Sequence, residues 1–178
     1  EYNMKTYKEE NKLKKFELTT ESKINIFGKK LFRIKALISF GDVKEGETGG
    51  WVEKEENLEQ SYGDAWVSGD ARVYGDARVS GDARVSGDAR VSGDARVSGD
   101  AEVYGNADYT TIRGFGTQFR TTTFFRCKDK QIRVSCGCFF GTISEFREQV
   151  KNTRKGKIAE EYLMIADLME KHFAEEAK

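Results

Sequence analysis

The sequence predicts a mainly β fold: a short triangular parallel β-helix solenoid, preceded by a β element and followed by an α+β cap. Three observations carry this expectation. A six-residue unit repeats without interruption from Gly63 to Asp108. Two strand-like runs precede it, and a hairpin with two helical patterns follows it. The expected segments are 4–60, 61–109 and 110–178.

The repeat decides the architecture, because a fixed period means stacked identical units. Its unit is Gly-Asp-Ala-Arg-Val-Ser, with Gly at 63, 69, 75, 81, 87, 93, 99 and 105. In Ala-Arg-Val, strand alternation turns Ala and Val to one side and Arg to the other. Gly-Asp supplies the corner, since Gly accepts positive φ and Asp suits a turn. One unit is thus one short face and one corner, and three faces close a coil of 18 residues. Coils stack at about 4.8 Å, the spacing of hydrogen-bonded strands. Each inward Val is covered by those above and below, worth roughly 2 kcal/mol apiece by area. A lone coil cannot provide this burial, so stability resides in stacking.

The first segment holds Lys15–Thr19 and Leu31–Ile38, both strand-like. The Gly turn in Asn25-Ile26-Phe27-Gly28-Lys29 makes Ile24–Ile38 read as a hairpin. Phe40-Gly41-Asp42-Val43, Gly49-Gly50-Trp51-Val52 and Leu58 form an irregular lead-in to the solenoid. Met4 is read as the native start. In the third segment, Thr121–Cys127 and Gln131–Cys136 form a hairpin around Lys128-Asp129-Lys130. Thr142-Ile143-Ser144-Glu145 is a capping box that opens a helix to about Asn152. Ile158, Tyr162, Ile165, Met169 and Phe173 then make the apolar stripe of a last helix.

Composition narrows the function. Lys plus Arg equals Asp plus Glu, 30 each, in 178 residues. With zero net charge, no membrane partner is expected and a nucleic-acid partner is the less expected class, although local charged patches remain open. An apolar fraction of 38% with 12 Phe supports a core. No apolar run nears the roughly 20 residues of a membrane span. The Lys/Glu-rich N-terminus has no signal-peptide stretch. Three cysteines, an odd number, form no closed disulfide framework, and a reducing cytosol is the expected compartment.

The Val-Ser-Gly-Asp-Ala-Arg and Val-Tyr-Gly-Asn-Ala units resemble the hexapeptide-repeat, left-handed parallel β-helix superfamily. The likeness covers 63–109 well and 40–109 loosely, and it is what implies the left hand. Several pieces together resemble a group of phage- and prophage-encoded repeat-containing proteins: Phe40–Val43 with Gly49–Val52, the Gly-Asp-Ala repeats, and Cys136-Gly137-Cys138-Phe139 with Gly141-Thr142. This implies a phage or prophage origin, and with it the cytoplasm of a bacterial host cell as the compartment. Solenoids of the superfamily often trimerise, so a homo-oligomer is among the expectations.

Some superfamily members are acyltransferases, which usually need a catalytic His on a loop leaving the coil. These repeats have neither loop nor His, and the single His, His172, falls in the last helix. One His also cannot build the three-His metal site of the carbonic anhydrases of this fold. No catalytic residue, metal ligand or cofactor is therefore assigned. Cys127, Cys136 and Cys138 read as small apolar residues of a hairpin rather than as zinc ligands, because Cys-x-Cys is not the usual Cys-x2-Cys knuckle.

Residues 18 apart stack into columns: Trp66-Arg84-Glu102, Arg72-Arg90-Asp108 and Arg78-Arg96, with Asp columns at the corners. Such columns are either a solvated charge lattice or a ladder for a partner, and the lattice is the ordinary state. Trp66, Arg72, Arg78, Arg84, Arg90, Arg96, Tyr74 and Tyr104 are the candidate partner contacts, with Tyr62 beside them. Arg113, Gly114, Gly116 and Arg120, at a Gly-rich junction, are candidates for holding an anion. The expected function is a non-enzymatic protein-binding or scaffold role toward a host or phage protein, including inhibition of a host defence system. An acyltransferase-like enzyme and a nucleic-acid binder using the Arg columns are the alternatives.

Overall fold

The computed structural model describes residues 14–174. The reading of Met4 as the start, and the beginning of the 4–60 segment, lie outside the described residues.

Strands β1 (Phe16–Ile24) and β2 (Lys30–Ala36) form an antiparallel hairpin around the expected turn. Its first arm begins at Phe16, not Ile24. The Lys15–Thr19 run and the polar residues after it are one strand, with a register shift between Leu18 and Ser22. The polar stretch hid this arm from the apolar alternation. Strand β3 (Thr48–Val52) is antiparallel to β2 on one edge. On its other edge it is parallel to the solenoid, with Trp51 opposite Arg72 and Val52 opposite Val73. Leu58 pairs with Val79 in the same sense. Parallel pairing therefore begins at Trp51, ahead of residue 61. From Leu58 to Val67 is nine residues, three more than the repeat allows. Gln60 in this longer link binds the hairpin: its Oε1 accepts from the Lys15 amide at 2.9 Å, and its Nε2 donates to the Phe16 carbonyl at 2.9 Å.

The repeats form seven two-residue strands: β4 (Trp66–Val67), β5 (Arg72–Val73), β6 (Arg78–Val79), β7 (Arg84–Val85), β8 (Arg90–Val91), β9 (Arg96–Val97) and β10 (Glu102–Val103). Strands 18 residues apart pair in parallel, as β4-β7-β10, β5-β8 and β6-β9, and β3 joins β5 at a separation of 21. Val67 to Val103 and Ala65 to Ala101 are essentially inaccessible along all three stacks. Corner glycines from Gly63 to Gly99 have φ between 62° and 71°. At Gly63 a side chain would also overlap the Gly81 carbonyl one coil away. The corner thus needs Gly for its backbone conformation and for close stacking.

Four antiparallel strands follow in the order β11 (Tyr109–Phe115), β12 (Arg120–Arg126), β13 (Ile132–Cys136) and β14 (Phe139–Thr142). The sequence suggested only the central hairpin. Helices α1 (Ile143–Thr153) and α2 (Gly156–Phe173) pack on this sheet. The capping box forms: the Thr142 hydroxyl accepts from the Glu145 amide at 3.2 Å, and the Glu145 carboxylate accepts from the Thr142 amide at 2.7 Å. Strand β12 serves two cores by alternation. Phe125, with Cys127 just beyond it, joins the solenoid interior, while Phe124 joins Val134, Phe146, Tyr162 and Phe173 in the cap. Phe16, Ile34 and Ala36 join the solenoid interior from the N-terminal hairpin. Both ends of the stacked Val and Ala columns are closed by residues outside the repeat.

Candidate functional site

The outward residues of the three stacks have different fates. In the β4-β7-β10 stack, Trp66 is 3% exposed, held edge-on by Phe16 at 6.5 Å and Phe40 at 5.6 Å. It belongs to the packed lead-in and not to a contact surface, which corrects its place among the expected contacts. Below it, Arg84 forms an ion pair with Asp42. In the β3-β5-β8 stack, Lys23 sits 3.9 Å and Arg33 4.9 Å from the Trp51 ring centroid. Burial, and after it the nearby Arg72, holds the Lys23 ammonium below its usual pKa. Arg72 and Arg90 continue that column. Asp108 does not extend it. Its carboxylate accepts from the Tyr104 and Gly105 amides, both at 3.0 Å, and Asn106 meets the Arg90 amide instead.

The expected aromatic patch does not assemble. Tyr62, Tyr74 and Tyr104 follow residues of three different strand stacks and so lie apart. Tyr74 packs beside Phe27 at 6.4 Å. The Gly-rich junction is not an open loop either. Arg113 and Gly114 lie in β11, and the turn at Gly116 is packed against Tyr162, whose hydroxyl donates to the Phe115 carbonyl at 3.2 Å.

The β6-β9 stack is where candidates from both groups meet. Arg78 and Arg96 are paired neighbours on its outer side. The Lys54–Tyr62 link forms one wall. The β11–β12 turn with the start of β12, Phe119–Thr121, and the β13–β14 turn with the start of β14, Gly137–Phe140, form the other. Two adjoining cavities of about 570 Å³ and 780 Å³ share Arg78, Arg96, Glu56, Gly137 and Cys138. Asp94 is engaged by Arg113 at 2.9 Å and by the Thr121 hydroxyl at 3.3 Å. Asp76 is engaged by Lys54 at 2.9 Å, which holds its carboxyl below the usual range. Among the described residues, Arg78, Arg96 and Arg120 have no carboxylate within ion-pair distance. Three guanidiniums without an ion pair therefore face one walled cleft, beside Glu56 and the Lys54-paired Asp76, with Glu55 and Glu59 lining its other half. Exposed Phe119, Phe140 and Tyr62 stand at its rim, 68%, 47% and 63% accessible. Phe119 holds a left-handed φ of 49°.

Sequence reasoning found Arg78, Arg96, Arg113 and Arg120 but not their convergence, and it missed Lys54, Phe119 and Phe140. The nine-residue spacing ahead of Val67 was the available signal that the link bulges outward.

The thiols do not gather. Cys136 and Cys138 flank the β13–β14 turn and share no strand face. Cys136 pairs with Thr122, five positions along the strand direction from Cys127, about 16 Å at the usual rise. Cys127 is 2% exposed, and burial, reinforced by Asp100, pushes its thiol up to about 12. Cys138 is exposed and lines the cleft. His172 lies near the end of α2 against Phe173 and lines neither cavity.

Residues 65–81, 71–87, 77–92, 83–99 and 89–105 each match the YdcK beta solenoid repeat. Together with the parallel stacks, these five overlapping matches make the chain a β-solenoid repeat protein. No curated protein matches it.

Proposed function

We propose that this chain is a non-enzymatic protein-binding scaffold whose β6-β9 cleft grips an acidic segment of a partner protein. The observation that carries the reading is the convergence of Arg78, Arg96 and Arg120, without carboxylate partners, between two walls rimmed by aromatics. Arg and aromatic side chains are the residues that dominate protein interfaces. The solenoid holds the two walls at fixed separation, because each coil is locked to its neighbours. A triangular, left-handed hexapeptide coil is the form we assign to it, on the 18-residue stacking and the resemblance of its units. The resemblance to phage and prophage repeat proteins favours a partner inside a bacterial host, a component of a defence system among them.

Affinity capture from a bacterium expressing the tagged chain tests the reading. One protein should co-elute with the wild type and with Arg90→Glu, but not with Arg78→Glu/Arg96→Glu. Equal capture by the cleft double variant overturns it. Duplex DNA binding that falls steeply with salt and is lost in the cleft variant would reassign the arginines to phosphates. The acyltransferase alternative is tested by calorimetry with acetyl-coenzyme A. No heat is expected, and a micromolar dissociation constant would establish the enzyme class instead.

A further inference from the structure

The turn of the N-terminal hairpin is the most concentrated exposed apolar surface of the described chain. Ile24, Ile26 and Phe27 are 73%, 82% and 70% accessible within four consecutive positions. Nothing lies within 4 Å of a Cβ built on Gly28, so the tip stands clear of the rest of the fold on that side.

Most of its backbone amides are bonded within the turn, although the Asn25 side-chain nitrogen is buried without a partner. The Asn25 amide donates to the Lys29 carbonyl at 2.9 Å, and the Gly28 amide to the Asn25 carbonyl at 3.0 Å. The Asn25 side-chain oxygen accepts from the Phe27 and Lys29 amides, each at 2.9 Å. Four of the turn's amides are thus satisfied without water. In water this is optional, since solvent serves as partner. In an apolar medium it is required, because an unpaired amide there is costly.

Cations ring the base of the tip. Lys23, Lys29 and Lys30 flank the apolar residues in sequence, and Arg33 and Arg72 lie close enough to Lys23 to depress its pKa. The carboxylates that face them are Glu53, 2.9 Å from Lys29, Asp70, 3.5 Å from Lys23, and Asp76, which lies within the field of Lys29 and pairs with Lys54 at 2.9 Å. With Lys54 counted, six cations against three carboxylates leave an excess of positive charge around an apolar point.

We infer that the Ile24–Phe27 tip is a membrane-surface anchor that dips into an anionic bilayer, with Lys29 and Lys30 at the headgroups. A convex apolar knob with four of its amides bonded internally and a basic collar matches the depth profile of that interface, apolar for about 5–10 Å and anionic above. This is surface attachment, distinct from spanning: no helix among the described residues is long and apolar enough to cross a membrane. The inference is independent of the cleft.

Flotation of the full chain with vesicles tests it. The wild type should float with vesicles of three parts phosphatidylcholine to one part phosphatidylglycerol. It should bind pure phosphatidylcholine about tenfold less well, because the basic collar then has no counter-charge. Ile26→Ser/Phe27→Ser should lose about tenfold in binding to the mixed vesicles while keeping the wild-type circular dichroism spectrum. Lys29→Gln/Lys30→Gln should bind more weakly and lose most of the salt dependence. Phe27→Trp should shift its emission to shorter wavelength on adding mixed vesicles. Absence of flotation, or equal flotation of the serine variant, overturns the inference. So does a wild-type oligomer in sedimentation equilibrium that the serine variant dissolves without any vesicle binding, since the tip is then an interface between copies.

Discussion

Gly81 and Gly93 occupy equivalent corners, with φ of 67° and 66°. Ala at either costs about 1–2 kcal/mol for the left-handed backbone. The two differ in what a Cβ meets: the Gly99 amide nitrogen at 2.8 Å for Gly81, and nothing within 4 Å for Gly93. Gly81→Ala should therefore melt at a lower temperature than Gly93→Ala. Equal melting temperatures would mean that the corners are not closely stacked. Cys127 makes a second residue-scale prediction. Its folded pKa, near 12, lies above the ordinary 9.0, so folding favours the protonated thiol. That contribution is complete below pH 9 and is lost as pH rises from 9 toward 12. Over this window the wild type should lose stability relative to Cys127→Ala in denaturant titrations. At pH 8, iodoacetamide should modify exposed Cys138 well before Cys127.

The coil is the element of this fold, and its length is testable. Deleting residues 81–98 removes one full 18-residue turn, so β10 would pair with β4 and Arg78 would take the place of Arg96 beneath β12. The variant should fold, with a lower melting temperature because a layer of buried Val and Ala is gone. Loss of the Arg84–Asp42 pair, with Glu102 brought to that position, adds a small repulsion. Deleting 84–98 removes 15 residues and sets corner residues where strand residues belong, so it should fail to fold. Circular dichroism separates the two, and equal spectra would refute the 18-residue stack. The in-phase variant should also bind the cleft partner less well, since it lacks one of the two floor arginines and brings the walls one strand spacing closer.

At the scale of the whole molecule, an open solenoid end exposes unpaired backbone and a column of Val, a template for aggregation. The chain closes one end with Phe16, Ile34 and Ala36 and the other with Phe125 and Cys127. Lys128 extends the second closure, its amide donating to the Asp100 carbonyl at 3.0 Å. A chain terminated at residue 109 should therefore aggregate in light-scattering measurements, although every repeat is intact. If it remains monomeric and folded, the cap serves partners alone. The caps also build the cleft: neither the Arg78-Arg96 floor nor either wall encloses it without the others.

What the sequence determined by itself is everything that repeats or is local. The period of six set the coil, the alternation within Ala-Arg-Val set which side is buried, and the spacing of 18 placed Arg78 beside Arg96. Thr142 to Glu145 marked the start of α1, and the stripe from Ile158 to Phe173 marked α2. These follow from interactions between near neighbours or identical units, so they leave a periodic trace. The tertiary structure alone decided what occurs once. It buried Trp66 under Phe16 and Phe40, and it closed the ends with single aromatic residues. It started the stack at Gly49 and Gly50, where a Cβ would lie 2.5 Å from Ile34 Cγ1 and 2.6 Å from Val67 Cγ1 respectively. It added β11 and β14 as partners to the central hairpin and drew Arg120 over the turn at Gly137 to face Arg78 and Arg96. Such contacts join residues tens of positions apart that share no pattern, and only the closure of the chain on itself brings them together.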